Sequence, residues 1–141
     1  MIKKNTYYIE KIVPLLMMGG LMVHLINIGR YIHFGKAELS FILLQVVDFP
    51  LGLLMLYCAI ILIFRYKQLF AIFDMSAIWR KVVYWLITFY ITMSIPGHVS
   101  FLSSGDTTYF DFWPWWFSPI IMVVYILFII FFFTLEKTEE H

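Results

Sequence analysis

The chain has 141 residues, of which 62% are hydrophobic and 13% charged, with a formal net charge of +1. Ordinary soluble domains carry about 25% charged residues, so this chain has too few to cover a soluble surface, and it lacks the basic patch that a nucleic-acid phosphate backbone requires. Long apolar runs and 21% aromatic residues point instead to an integral membrane protein.

A helix spans the hydrocarbon with about 20 residues. The N-terminal stretch MIKKNTYYIEKIVPLLMMGG has basic residues followed by an apolar run, as a signal peptide does. No small-residue cleavage site follows, so it reads as a retained first span, from Ile12 to Ile32. The second span runs from Leu39 to Phe64 and contains Pro50, which removes the hydrogen bond to the Val46 carbonyl and favours a kink. Cys58 in this span reads as a small buried hydrophobe, since a single cysteine forms no internal disulfide. The connection RYKQLFAIFDMSAIWRK is expected to lie in the membrane interface as a short amphipathic helix, with Asp74 or Ser76 capping the next element. The third span runs from Ile78 to Ile95. The stretch SSGDTT in the following loop reads as a turn. The fourth span runs from Trp115 to Leu135, and its core SPIIMVVYILFIIFFF has no polar face beyond Ser118 and Tyr125.

These elements predict an all-α integral membrane protein, a single domain of four antiparallel transmembrane helices. Orientation follows from the basic residues. Lys3, Lys4, Lys11, Arg65, Lys67, Arg80, Lys81 and Lys137 fall on one side, and only Arg30 and Lys36 on the other. The basic side is cytoplasmic, so both termini are expected inside. Tyr7, Tyr8, Tyr66 and Trp79 then fall near the inner interface, and Trp113, Trp115 and Trp116 near the outer one, where an amphipathic ring is favoured. Small size and the lack of an Asn-X-Ser/Thr acceptor suit a plasma membrane, the bacterial inner membrane.

Polar residues concentrate in the outer half. His24, Asn27 and Tyr31 continue one helical stripe from Gly20, with Arg30 beside it. Gln45, Asp48 and Gly52 form a stripe on the second span. His98 lies just past the end of the third. An ionisable group in the bilayer must meet a partner charge, a cavity or another helix. Asp48 is therefore expected to pair with Arg30 or His24, and His24, Asn27, Arg30, Gln45, Asp48 and His98 form the candidate ligand-binding or structural cluster. A bis-histidine haem site needs His24 and His98 at one depth, whereas His98 lies nearer the outer surface. His98, Asp106 and Asp111 match no metal-ligand spacing, so no metal is expected. Gly19 and Gly20 allow close approach of another helix but lack a partner glycine four residues on.

There is no phosphate-binding loop, nucleophile elbow or His-Glu metalloprotease pair. The expected function is a small non-enzymatic subunit or accessory protein of a larger membrane complex, in contact with other membrane protein subunits and the lipid bilayer. The alternative is a binder or membrane enzyme for a quinone, haem or lipid, using an outer-leaflet pocket between the first two helices. Transport is a third and weaker class, because the inner half offers no polar path.

Overall fold

In the computed structural model the described residues are 6–34, 41–104 and 116–138. Within the helices, only the backbone is described at 27, 30, 31, 34, 41–49, 98, 101, 102, 117 and 118. A π-helical turn, Tyr8–Ile12, leads into α1, Val13–Phe34. Then follow α2, Phe41–Phe64, a short α3, Tyr66–Ile72, α4, Ile78–Ser104, and α5, Phe117–Phe133. The described residues are mostly helical and form no strand.

Each long helix buries one stripe spaced by three and four residues, the period of a helical face. On α1 the stripe is Val13, Leu16, Met17 and Gly20, preceded by Ile9. On α2 it is Met55, Cys58, Ala59 and Leu62, on α4 Val83, Tyr84, Ile87, Thr88 and Ile91, and on α5 Ile121, Tyr125, Phe128 and Phe131. Cys58 is a free thiol within this core. The most extensive packing joins α1 to α5 and α2 to α4, while α1 meets α2 more sparingly. The first helix thus has the last as its main partner.

The opposite stripe of every long helix is apolar too. Leu15, Met18 and Met22 are exposed on α1, and Leu53, Leu56 and Ile60 on α2. Val82, Trp85 and Phe89 are exposed on α4, and Ile120, Val123, Ile130 and Phe133 on α5. Val123 is 67% exposed and Phe133 81%. Among the described residues, more large apolar side chains face outward than sit in the core.

Four spans are expected from the sequence. Among the described residues one helix, Tyr8–Ile26, is by itself long and apolar enough to cross a membrane. A second is supplied if Pro50–Phe64 and Tyr66–Ile72, bent by 78°, count as one. Pro119–Phe133 is apolar but shorter. α4 is long enough, but Arg80, Lys81, Thr88, Thr92, Ser94, Pro96 and Gly97 dilute its apolar run. It also continues through Pro96 to Ser104, past the expected end at Ile95.

The 78° elbow between α2 and α3 has no Pro or Gly to cause it. Burial explains it. By turning, α3 places Leu69, Phe73 and Met75 in the core beneath the bundle, while Lys67 and Gln68 stay exposed. The segment is helical as expected, and its Leu69 and Phe73 side chains are buried against the bundle. The turn also ends the α2 hydrogen-bond ladder. In an unbroken helix the Leu62 carbonyl would receive the Tyr66 amide. Here the Tyr84 hydroxyl donates to it at 2.6 Å, in a buried bond from α4.

A clasp closes this end. Arg80 donates to the Asp74 carbonyl (2.8 Å), its carboxylate (3.2 Å) and the Thr134 carbonyl (3.1 Å). The Asp74 amide donates to the Glu136 carbonyl and the Thr138 amide to the Ile72 carbonyl, at 2.9 and 2.7 Å. Lys137 pairs with Glu10 at 2.8 Å. The start of α1, the end of α3, the start of α4 and the end of α5 therefore meet at one end, which makes the long helices antiparallel. Asp74 does not cap α4. Its Oδ1 accepts the Ser76 amide two residues on, while the Ala77 carbonyl receives the Arg80 and Lys81 amides.

Tyr84→Phe should strip the Leu62 carbonyl of its donor and lower stability by about 1–3 kcal/mol, the cost of an unsatisfied buried acceptor; thermal unfolding in detergent measures this, and an unchanged midpoint would remove the role given to Tyr84. The hydroxyl and amide of Ser76, then the Arg80 guanidinium, hold the Asp74 carboxyl below the usual carboxylate range. A depressed folded value means the stabilisation is fully present above the unfolded carboxylate range and is lost as pH falls through the lowered value. Melting temperature should therefore hold from neutral pH down to that range and drop below it, with a shallower drop in Asp74→Asn.

Candidate functional site

The polar centre of the bundle is built on a gap in α1. Gly20 has no side chain, and the Tyr125 ring of α5 occupies the space. A Cβ at Gly20 would lie 2.5 Å from both Cζ and the hydroxyl of Tyr125. One turn further along the same face, the His24 ring lies 5.6 Å from the Tyr125 ring, centroid to centroid, at 44°. The Tyr125 hydroxyl donates to the Tyr90 hydroxyl of α4 at 3.1 Å, and the two rings meet edge to face at 5.4 Å. Tyr90 also stands edge-on to Phe128 at 6.4 Å. Three helices thus contribute to one aromatic and hydrogen-bonding group.

Tyr125 is 2% exposed, whereas His24 and Tyr90 are half-buried. A hydroxyl this deep needs a partner, since a polar group buried without one costs stability. The hydroxyls of Thr88, Thr92 and Ser94 on α4 are engaged within their own helix. Thr88 donates to the Tyr84 carbonyl at 2.9 Å, Thr92 to the Thr88 carbonyl at 2.8 Å and Ser94 to the Ile91 carbonyl at 2.7 Å. Ser94 also reaches Met55 Sδ on α2 at 3.2 Å. These bonds satisfy the hydroxyls of Thr88, Thr92 and Ser94.

Of the expected cluster, His24 is the member with a described side chain, and its ring contact is with α5. Asn27 and Arg30 lie on α1, Gln45 and Asp48 on α2 and His98 on α4. Their side chains, and so the expected pairing of Asp48 with Arg30 or His24, lie outside the described residues. Asp106, Asp111, Trp113 and Trp115 lie outside them as well. Among the described residues no three His, Cys, Asp or Glu side chains converge to hold a metal ion.

Tyr90 and Tyr125 are the residues that sequence reasoning did not place in the site. Tyr125 carried a signal. It is the one polar side chain deep in an otherwise apolar helix, and Gly20 is the matching notch. Chemically, the group links helices and sets their spacing at the level of Gly20. No protein-family model matches the chain, and neither a curated protein nor a solved structure matches it.

The glycines give a graded test. Gly20→Ala drives a methyl into the Tyr125 ring and should destabilise by about 1–3 kcal/mol, as overpacking does. At Gly19 the nearest atom to a Cβ is Leu51 Cδ1 at an ordinary 3.7 Å, and at Gly29 nothing lies within 4 Å. Melting temperatures should rank Gly20→Ala well below Gly19→Ala and Gly29→Ala; equal values for all three would contradict the seating of Tyr125.

Proposed function

We propose that this chain is a small, non-enzymatic integral membrane subunit or accessory protein of a larger membrane complex. Its four long helices cross the bilayer antiparallel, with both termini on the cytoplasmic side of a plasma (bacterial inner) membrane. The observation that carries this reading is the exposed apolar stripe on each long helix. In water such surface is unfavourable by about 25 cal/mol for each Å². Against acyl chains or a neighbouring apolar helix it is satisfied.

The clasp end supports the orientation. It gathers Lys11, Arg65, Lys67, Arg80, Lys81 and Lys137 with the exposed aromatic rings of Tyr7 and Trp79. Basic loops and an aromatic belt together mark a cytoplasmic interface. The 17 residues of α5 are short for a span on their own, and the flanking Trp116 and Thr134 extend the crossing at either interface. Two further features favour an accessory role. The Thr88 and Thr92 hydroxyls bond within their own helix, and the central Tyr125 is fixed by Gly20 and Tyr90. These bonds commit the Thr88, Thr92 and Tyr125 donors within the bundle. In this reading the His24, Asn27, Arg30, Gln45, Asp48 and His98 group fixes helices and faces a partner subunit.

Two measurements test this. After an alkaline carbonate wash the protein should stay with the membranes; release into the supernatant would overturn the membrane reading. Native mass spectrometry after gentle extraction should show discrete larger assemblies at fixed stoichiometry. A monodisperse lone chain would overturn the accessory role, and a lone chain carrying a fixed extra mass would support a bound quinone, haem or lipid instead.

A further inference from the structure

The clasp uses its charges unequally. Arg80 is spent on Asp74 and on two backbone carbonyls, and Lys137 on Glu10. Arg65, Lys67 and Lys81 form no ion pair with any described residue. Among the described residues, six cations face three carboxylates at this end, Glu10, Asp74 and Glu136. Two of those carboxylates are already engaged, so the excess positive charge belongs to the elbow.

The unengaged cations surround an aromatic step. Arg65 and Lys67 flank Tyr66, whose ring lies 5.5 Å from that of Trp85 on α4. Phe70 stands 6.0 Å from Tyr66 and 6.4 Å from Trp85. Lys81 lies one helical turn before Trp85, on the same face. Trp85 is 43% exposed, and Phe89, one turn further along α4, is 65% exposed. Along this face the surface passes from lysine to indole to phenyl.

We propose that the α2–α3 elbow and the first two turns of α4 form a binding site for an anionic phospholipid of the cytoplasmic leaflet, a site that rests on the membrane-spanning reading. Arg65, Lys67 and Lys81 hold the phosphate and any anionic headgroup. The exposed face of Trp85 meets the glycerol level, and Phe89 meets the acyl chains. The gradient from charge to apolar surface selects this occupant. A free phosphate would use the cations and leave the aromatic face uncovered. A zwitterionic lipid would cover that face and leave the excess charge uncompensated. Basic residues beside a membrane attract anionic lipid in this way.

The test is native mass spectrometry of the full chain in mild detergent with an equimolar mixture of phosphatidylglycerol and phosphatidylcholine. The wild type should retain phosphatidylglycerol preferentially. Lys67→Gln and Lys81→Gln, both exposed and outside the core, should each reduce that preference by about fivefold, the effect of one cation near an anionic surface. Equal retention of the two lipids, or a preference unchanged in the double variant, would overturn the site and leave the membrane reading standing. Displacement of the lipid by glycerol phosphate as readily as by added phosphatidylglycerol would overturn the lipid as its occupant. A chain that stays monomeric in solution after detergent removal would overturn the membrane reading and the site together.

Discussion

A tyrosine ring seated on a glycine backbone sets the spacing on which the rest of the bundle depends. Tyr125 fits against Gly20 because there is no Cβ in the way, so α1 and α5 approach closely there. The hydroxyl that this buries is then committed to Tyr90, which brings α4 into register with the other two. The core stripes above and below follow from that register, with Leu16 and Met17 on α1 and Phe128 and Phe131 on α5. In an apolar surrounding, helix association comes from close packing and a few interhelical hydrogen bonds rather than from expulsion of water. Gly20, Tyr125 and Tyr90 supply both.

The second organising constraint is that every buried backbone group must find a partner. The elbow after Phe64 leaves the Leu62 carbonyl without its chain amide, and Tyr84 supplies a hydroxyl. The linker and the C-terminal segment have no helix of their own, so they pair with each other through the Phe73–Lys137 bridge. Arg80 then ties both to the start of α4. One guanidinium serves two carbonyls and a carboxylate, which suits its planar array of donors.

Much of the helical layout was legible in the sequence, because apolar runs and basic flanks are local properties. Val13–Phe34 and Phe41–Phe64 lie within a few residues of the expected segments. The partners were not legible. Periodicity says which face of α1 is buried but not which helix covers it. A short connection suggests that α1 lies along α2, yet its main neighbour is α5. The Gly19–Gly20 pair reads as a place of close approach, but the missing second glycine hides that the visitor is a tyrosine more than a hundred residues away. The elbow was invisible for another reason. Arg65 and Tyr66 carry no turn signal, and the bend is selected by what Leu69 and Phe73 bury after it.

The pairing of the first helix with the last also imposes an order on biogenesis. A ribosome delivers α1 long before α5, so the Gly20 notch stays empty until nearly the whole chain has been made. The α2–α4 pair, joined by a short connection, can zip early and locally. The nascent chain therefore holds one matched hairpin and one waiting helix. The arrival of Tyr125, followed by Lys137 at Glu10, completes both at once. Loss of the last helix would strand the first, with its notch and His24 exposed to whatever surrounds them, and a quality-control protease would meet an orphaned segment at the N-terminal end of the chain.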